Sequence, residues 1–441
     1  MSESVPLLPP RKAAGASALS GALNLSNTLL GGGIAFVALP LATKEVGVGG
    51  IVAMLVASGV ANTFTCMLLV KSAALTGRAT YFDLSRALGG WAHVCTVFIL
   101  LNNFGVCVAF LDTFGDVFPQ ALGAMGAASP SRLACVLGAS ALLLLPMVGL
   151  RSLDALRFLS ALSILLCLFF AAIVLNAFAA RRGPLPAAPQ PSFTGALDAL
   201  SAATLSFTCH YNVLPIAAGL ARPQEVRGVV RRAMAFGTAL FSVIGPLAFF
   251  CHPDTTGDIL ADFATAGGGV SATLLGRLAV ALALMFSFPL IAFEGVHCAH
   301  LLAERALSPR IVRLLDTPAG KKVQALLFTA LCAAVALGVR GTGKVIGFVG
   351  SFCGIPIMYL FPCAIFLDAS AERAGEKPGA APVAAAAIAA GDDGDGAAAM
   401  AELIAPGTIA RDRIIAKGGF AVGVVCFVLC TASSVLAFGQ S

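Results

Sequence analysis

Apolar stretches of about 20 residues recur along this chain between short polar connections, each long enough for a helix rising 1.5 Å per residue to cross roughly 30 Å of hydrocarbon. They fall near residues 20–43, 48–70, 92–118, 132–150, 156–180, 194–220, 230–251, 270–300, 323–340, 344–367 and 418–438. The pattern predicts an all-α integral membrane protein with eleven transmembrane helices.

Two of these stretches interrupt themselves. In the first, NLSNTLLGGGIAFVALPLA (residues 24–42) sets Asn24, Ser26, Asn27 and Thr28 ahead of Gly31-Gly32-Gly33, with Pro40 downstream. In the sixth, SAATLSFTCHYNVLPIAAGL (residues 201–220) places Ser206, Thr208, His210, Tyr211, Asn212 and Pro215 at the centre of an apolar run. In lipid every backbone N–H and C=O must be paired, so broken helix survives only where it is buried in protein or lines a cavity. Polar side chains at that depth usually face such a cavity. Close helix packing accounts for the three glycines equally well when they are taken alone; the second interruption decides for a cavity. Two broken helices five spans apart are the pattern of an inverted five-plus-five repeat with its binding site at the repeat interface.

The domain organisation follows. Residues 1–18 read as a cytosolic N-terminal tail, 19–367 as a ten-helix core with repeats at about 19–180 and 194–367, 368–417 as a low-complexity cytosolic linker, and 418–441 as an eleventh helix with a short outer tail. The linker is biased to Ala, Gly, Asp and Pro and is expected to be mostly disordered. Its apolar run from Ala380 to Ala390 is too short to cross a bilayer.

Composition agrees with a membrane protein: 58% of residues are hydrophobic, 11% are charged and the mean hydropathy is +0.92, where soluble domains carry about 25% charged residues. Charge fixes the orientation, because Lys and Arg are retained in the cytosol. With the N-terminus inside, 21 of the 28 basic residues fall on the cytosolic side, among them Lys71, Arg227, Arg231 and Arg411. The net charge of +6 therefore reports topology, and no basic-aromatic motif points to nucleic acid. Most of the 13 cysteines lie within spans, where Cys behaves as a small hydrophobe, and no CxxC or His/Cys spacing marks a metal site. The first span starts too late and is too long for a cleaved signal peptide. In the tail, Glu3-Ser4-Val5-Pro6-Leu7-Leu8 resembles an acidic dileucine sorting signal, which makes Glu3, Leu7 and Leu8 a candidate adaptor contact.

At this point the two motifs carry a family resemblance. NLSNTLLGGGIAFVALPLA resembles the first-span signature of the amino acid/auxin permease family, and FTCHYNVLPIAAGL resembles its sixth-span segment, closest in look to the sodium-coupled neutral amino acid transporter branch. RLAVALALMFSFPLIAFEG in span eight and VIGFVGSFCGIPIMYLFPCAIFL in span ten are supporting matches. The resemblance implies a LeuT-like helical fold of eleven spans. It also implies a secondary active transporter of small neutral amino acids, driven by sodium or protons, in the plasma membrane or a vacuolar or endolysosomal membrane.

The site can be laid out on that basis. A helix N-terminus offers N–H groups and partial positive charge, so the half-helix after Gly31, Gly32 and Gly33 suits an amino acid carboxylate. Glycine also permits close backbone approach. Freed carbonyls near Leu29, Leu30, Ser206 and Phe207 suit the ammonium, and Thr28 and His210 flank them. Asn103, Phe110 and Phe207 are expected to wall the substrate side chain. The resemblance places the sodium site on Asn27 and Ser287, the latter standing where relatives usually carry Thr; a hydroxyl bonded to its own helix is the rival reading for Ser287. Glu294 stands where those relatives tend to have Pro and is the candidate proton site, with His210 able to titrate near neutrality. Asp112, Asp116 and Asp198 are read as solvated. No cofactor is expected beyond the coupling ion, and no Walker-type sequence is present to use ATP. An amino acid sensor without transport, a proton-linked vacuolar or lysosomal exporter, and an integral membrane enzyme are the alternatives. No nucleophile–base pair at membrane depth supports the last, so the protein is not expected to be an enzyme.

Overall fold

A computed structural model describes residues 16–32, 37–88, 91–149, 157–182, 184–186, 191–255, 260, 263, 272–339, 342–375 and 404–439. Gly33, the dileucine-like tail, Asp258, Asp262 and most of the 368–417 segment lie outside the described residues. Among the described residues the chain is helical and contains no strand. The helices are α1 (Ala18–Gly32), α2 (Leu39–Thr76), α3 (Tyr81–Ser85), α4 (Trp91–Ala124), α5 (Arg132–Gly149), α6 (Arg157–Ala180), α7 (Phe193–Leu205), α8 (His210–Gly219) and α9 (Val226–Cys251). They continue with α10 (Ala272–Ala306), α11 (Pro309–Asp316), α12 (Pro318–Gly338), α13 (Thr342–Val349), α14 (Phe361–Arg373) and α15 (Pro406–Gly439). Two π-helical turns, Gly350–Gly354 and Pro356–Leu360, join α13 to α14.

Eight described helices are long and apolar enough to cross a membrane. The shorter apolar helix α5 is a further span, and the two interrupted spans each come in halves, which brings the number to the expected eleven. The first span consists of α1 and the opening of α2, whose start carries Pro40, a residue suited to a first helical turn because its missing N–H is not needed there. Gly47, at φ 74° and ψ 166°, separates this half-helix from the second span. That conformation is essentially confined to glycine. The second span ends on Gly77, whose left-handed φ of 74° lets its N–H cap the Ala73 carbonyl. In the sixth span α7 stops at Leu205 and α8 starts at His210.

Spans five apart pack on each other. Span two (α2) lies along span seven (α9), span three (α4) along span eight (α10), and span four (α5) along span nine (α12). Spans one, two, six and seven therefore form a bundle, and three, four, eight and nine a second body beside it. The inner ends of the two broken spans are tied together: Ala16 N–H donates to Gly219 O (3.0 Å) and Ala221 N–H to Ala16 O (2.9 Å).

Two expectations need correcting. The eleventh helix begins at Pro406 rather than 418, because its first turns have a docking surface of their own: Asp412 is buried and ion-paired with Lys71 of α2, and Ile409 packs on Leu68, Leu75 and Phe366. Asp112 is not solvated but buried against Arg132, which also donates to Asp116 (2.8 Å) and to the Ala336 carbonyl (3.0 Å). Asp198 is exposed as expected, and it also accepts a bond from Ser433 Oγ at 3.1 Å.

Candidate functional site

The site grows from what the two interruptions leave unpaired. In the first span the described part of α1 ends at Gly32, and the residues that follow its last four carbonyls, 33–36, lie outside the described residues. In the sixth span, Ser206 N–H closes on Ala202 O, Phe207 N–H on Thr204 O and Thr208 N–H on Leu205 O. Among the described residues the carbonyls of Ser206 and Phe207 accept no hydrogen bond in return. Backbone acceptors are therefore available at the break of the sixth span.

The breaks face each other across α9. A Cβ added at Gly237 would lie 3.2 Å from Leu29 Cδ1 and 3.6 Å from Phe207 Cε1, so both breaks pack closely on this glycine. The Phe207 ring is fully buried and meets Phe241 edge-on, with centroids 5.9 Å apart at 79°. The ring thus packs into the bundle, and Phe207 contributes to the break through its backbone.

Opposite the sixth span stands Asn103 of α4, buried, with its Oδ1 accepting from the Tyr211 hydroxyl at 3.0 Å. Its Nδ2 has no partner among the described residues. Phe110, on the same helix, is fully buried. His210 is held by Thr65 Oγ1 at 2.8 Å from Nε2, while its Nδ1 has no partner among the described residues. Thr28 donates to Asn24 O of its own helix at 3.1 Å.

The candidate cation ligands occupy different bodies. Asn27 on α1 is buried and its Oδ1 has no partner among the described residues, an arrangement that costs about 1–3 kcal/mol unless something satisfies the oxygen. Ser287 on α10 is bonded to Ser163 of α6, Oγ to Oγ at 3.0 Å, and not to its own helix. Ser163 donates its single proton to Ala283 O at 3.1 Å, so the Ser287 proton points at Ser163 and both Ser287 lone pairs remain free. The helix α1 packs against both α6 and α10. Glu294 lies about 10 Å further along α10, at 1.5 Å per residue. It is half-buried and within electrostatic reach of Tyr211. The adjoining Gly295 lies against Asn103, whose Cβ would be 3.5 Å from a Cβ added there.

Sequence reasoning missed Ser163, one of two serines in the mostly apolar helix α6, and the Tyr211–Asn103 bond, since neither has a sequence signature. It also missed a grouping drawn from distant segments: the sulfurs of Cys66 and Cys209 lie 4.0 Å apart, and with a His210 ring nitrogen their ligand atoms fall within 4.8 Å of one another. Thiol and imidazole suit softer metals than sodium, which separates this cluster from the Asn27 and Ser287 oxygens. All 13 cysteines are free.

The family model described as transmembrane amino acid transporter protein matches residues 14–374. The chain belongs to this family. Among relatives of this transporter family, amino acid transporter AVT6A of Arabidopsis thaliana is 27% identical over 82% of this chain and 84% of its own length. Vacuolar amino acid transporter 5 of Schizosaccharomyces pombe is 26% identical over 79% and 83%, and sodium-coupled neutral amino acid transporter 7 of Danio rerio is 22% identical over 69% and 68%. Among solved structures, inward-facing Mhp1 superposes with a TM-score of 0.57 at 11% identity, covering 100% of this chain and 96% of Mhp1. MhsT in complex with L-phenylalanine gives 0.54 at 11%, covering 93% and 100%. The amino acid transporter family member described here therefore has the LeuT-type fold and is a multi-pass membrane protein; its family and structural neighbours are transporters, not enzymes.

Proposed function

We propose that this protein is a secondary active transporter of small neutral amino acids, binding substrate between the breaks of spans one and six. The observation that carries the reading is the concentration of unpartnered polar groups there: the Ser206 and Phe207 carbonyls and the buried Asn103 Nδ2 and His210 Nδ1. Such groups are costly in lipid unless a polar solute meets them. The substrate ammonium would be held by freed carbonyls and its carboxylate by the half-helix that begins near Leu39, whose N-terminal dipole favours an anion. Relatives named as vacuolar transporters make a vacuolar address an alternative to the plasma membrane.

For the driving ion, the free oxygens of Asn27 and Ser287 favour sodium. A proton-linked cycle is favoured by one separate observation, the half-buried Glu294 beside the Tyr211–Asn103 bond. Alternating access would move the bundle against the second body, with the Ala16–Gly219 and Ala16–Ala221 backbone bonds holding spans one and six together within the bundle.

Radiolabelled neutral amino acids supplied to proteoliposomes under an imposed sodium gradient, and separately a proton gradient, test this reading. Sodium-driven accumulation supports the Asn27–Ser287 site. Accumulation driven by protons alone, and lost in Glu294→Gln, transfers the coupling role to Glu294. Binding without accumulation under either gradient would overturn transport in favour of a sensor.

A further inference from the structure

A groove of roughly 1060 Å³ runs along the outside of the bundle between α2, α9 and the first turns of α15. Its walls are apolar, with Val56, Val60 and Phe64 of α2 facing Met234, Ala235 and Ala239 of α9. Its other end is basic: Lys71, Arg227, Arg231 and Arg411 line it, and Asp412 is the carboxylate among its lining residues. Asp412 is already committed, being buried against Lys71 with Arg411 at 3.3 Å from its second oxygen. Arg227 and Arg231 are exposed. All four cations belong to the set that charge bias assigns to the cytosolic side, so the basic end lies at the inner membrane surface and the apolar walls run into the bilayer.

We propose that this groove is a binding site for an anionic glycerophospholipid of the cytosolic leaflet. From Val60 to Lys71 the wall rises about 16 Å at 1.5 Å per residue, the depth of one leaflet of a hydrocarbon core roughly 30 Å thick. An acyl chain lying along α2 and α9 therefore brings its phosphate level with Arg227, Arg231 and Arg411. Basic pockets between transmembrane helices on the cytosolic side take acidic headgroups for this reason. A free inorganic anion would use the basic end and leave the apolar trough unexplained. A zwitterionic lipid would fill the trough but bring a cationic group to the four cations.

The test is electron paramagnetic resonance on the full-length protein in phosphatidylcholine vesicles containing spin-labelled phosphatidylglycerol or spin-labelled phosphatidylcholine. The immobilised fraction should favour phosphatidylglycerol, and Arg227→Gln/Arg231→Gln should reduce that preference by roughly fivefold per arginine removed. Val60→Trp, which fills the trough and leaves the arginines intact, should also lower phosphatidylglycerol retention. Equal retention of the two lipids by the parent protein would overturn the proposal, as would an undiminished preference in the double variant. Unchanged retention in Val60→Trp would reduce the site to an anion contact without a lipid.

Discussion

Ser287→Ala isolates the proposed cation site with little collateral damage, for a reason visible in the hydrogen bonds. Ser163 keeps its bond to the Ala283 carbonyl at 3.1 Å when the Ser287 hydroxyl is removed, so no buried donor is orphaned. The structural cost is one neutral hydrogen bond, about 0.5–1.5 kcal/mol. The loss in ion binding should be larger, since an oxygen that contacts a charge is worth about 1.5–3 kcal/mol, or about 10- to 150-fold in affinity. The assay is the sodium concentration giving half-maximal amino acid uptake into proteoliposomes at fixed pH on both sides, with the thermal midpoint recorded in parallel. A large rise in half-saturating sodium with a nearly unchanged midpoint is the expected outcome. An unchanged sodium response in an active, stable variant would remove Ser287 from the site.

Three further perturbations address the scaffold around it. Gly47→Ala places a Cβ at φ 74° and ψ 166° and should destabilise by about 1–3 kcal/mol, read as a lower thermal midpoint in detergent; an unchanged midpoint would mean the junction relaxes freely. Lys71→Met leaves the fully buried Asp412 carboxylate with only the exposed Arg411 at 3.3 Å and should cost up to about 3–5 kcal/mol, most of it recovered in Lys71→Met/Asp412→Leu, and failure of that recovery would refute the pairing argument. Ala221→Pro deletes the donor to Ala16 O, and the preceding Leu220 already has the extended ψ of 145° that proline demands of its neighbour. Losing about 1 kcal/mol should shift the population about fivefold toward conformers with parted inner ends. Faster modification of Cys209 by a cytosolic thiol reagent would register that shift, and an unaltered rate would show that the two bonds are no latch.

Backbone features of the site were legible in the sequence because they rest on local chemistry. The triple glycine before Pro40 gained its meaning from the cluster of polar residues ahead of Pro215, and the sixth span is broken within that cluster, where α7 stops at Leu205 and α8 starts at His210. Side-chain partnerships were not legible. Nothing in the chain near Asp112 announces Arg132 20 residues later, and nothing near Lys71 announces Asp412, because an ion pair between spans depends on which helix faces which. The same limit explains Phe207: its position in the motif was readable, but the direction of its ring depends on Gly237 and Phe241 of a different span. The early start of α15 was hidden for a related reason, since Asp412 counts against a membrane span by hydropathy yet is neutralised there by a partner 341 residues away.

The placement of the proposed cation ligands also bears on how ion and substrate could be linked. Asn27 belongs to the bundle and Ser287 to the body beside it, so an ion held by both is bound well only when those bodies are close. A ligand shifts a conformational equilibrium by its difference in affinity between the two states and by nothing else. Removing either oxygen therefore weakens the ion in the closed arrangement while leaving the open one untouched, which reduces the coupling energy along with the affinity. By reciprocity, the substrate's own affinity must then become less dependent on sodium by the same factor. Phe207 offers a contrast: its ring and its carbonyl both lie within the bundle, so a substrate contact to that carbonyl persists in either arrangement and carries no coupling. Asn27 and Ser287 are thus where ion dependence should be lost selectively, and the break around Phe207 is where substrate affinity should fall while its dependence on the ion is kept.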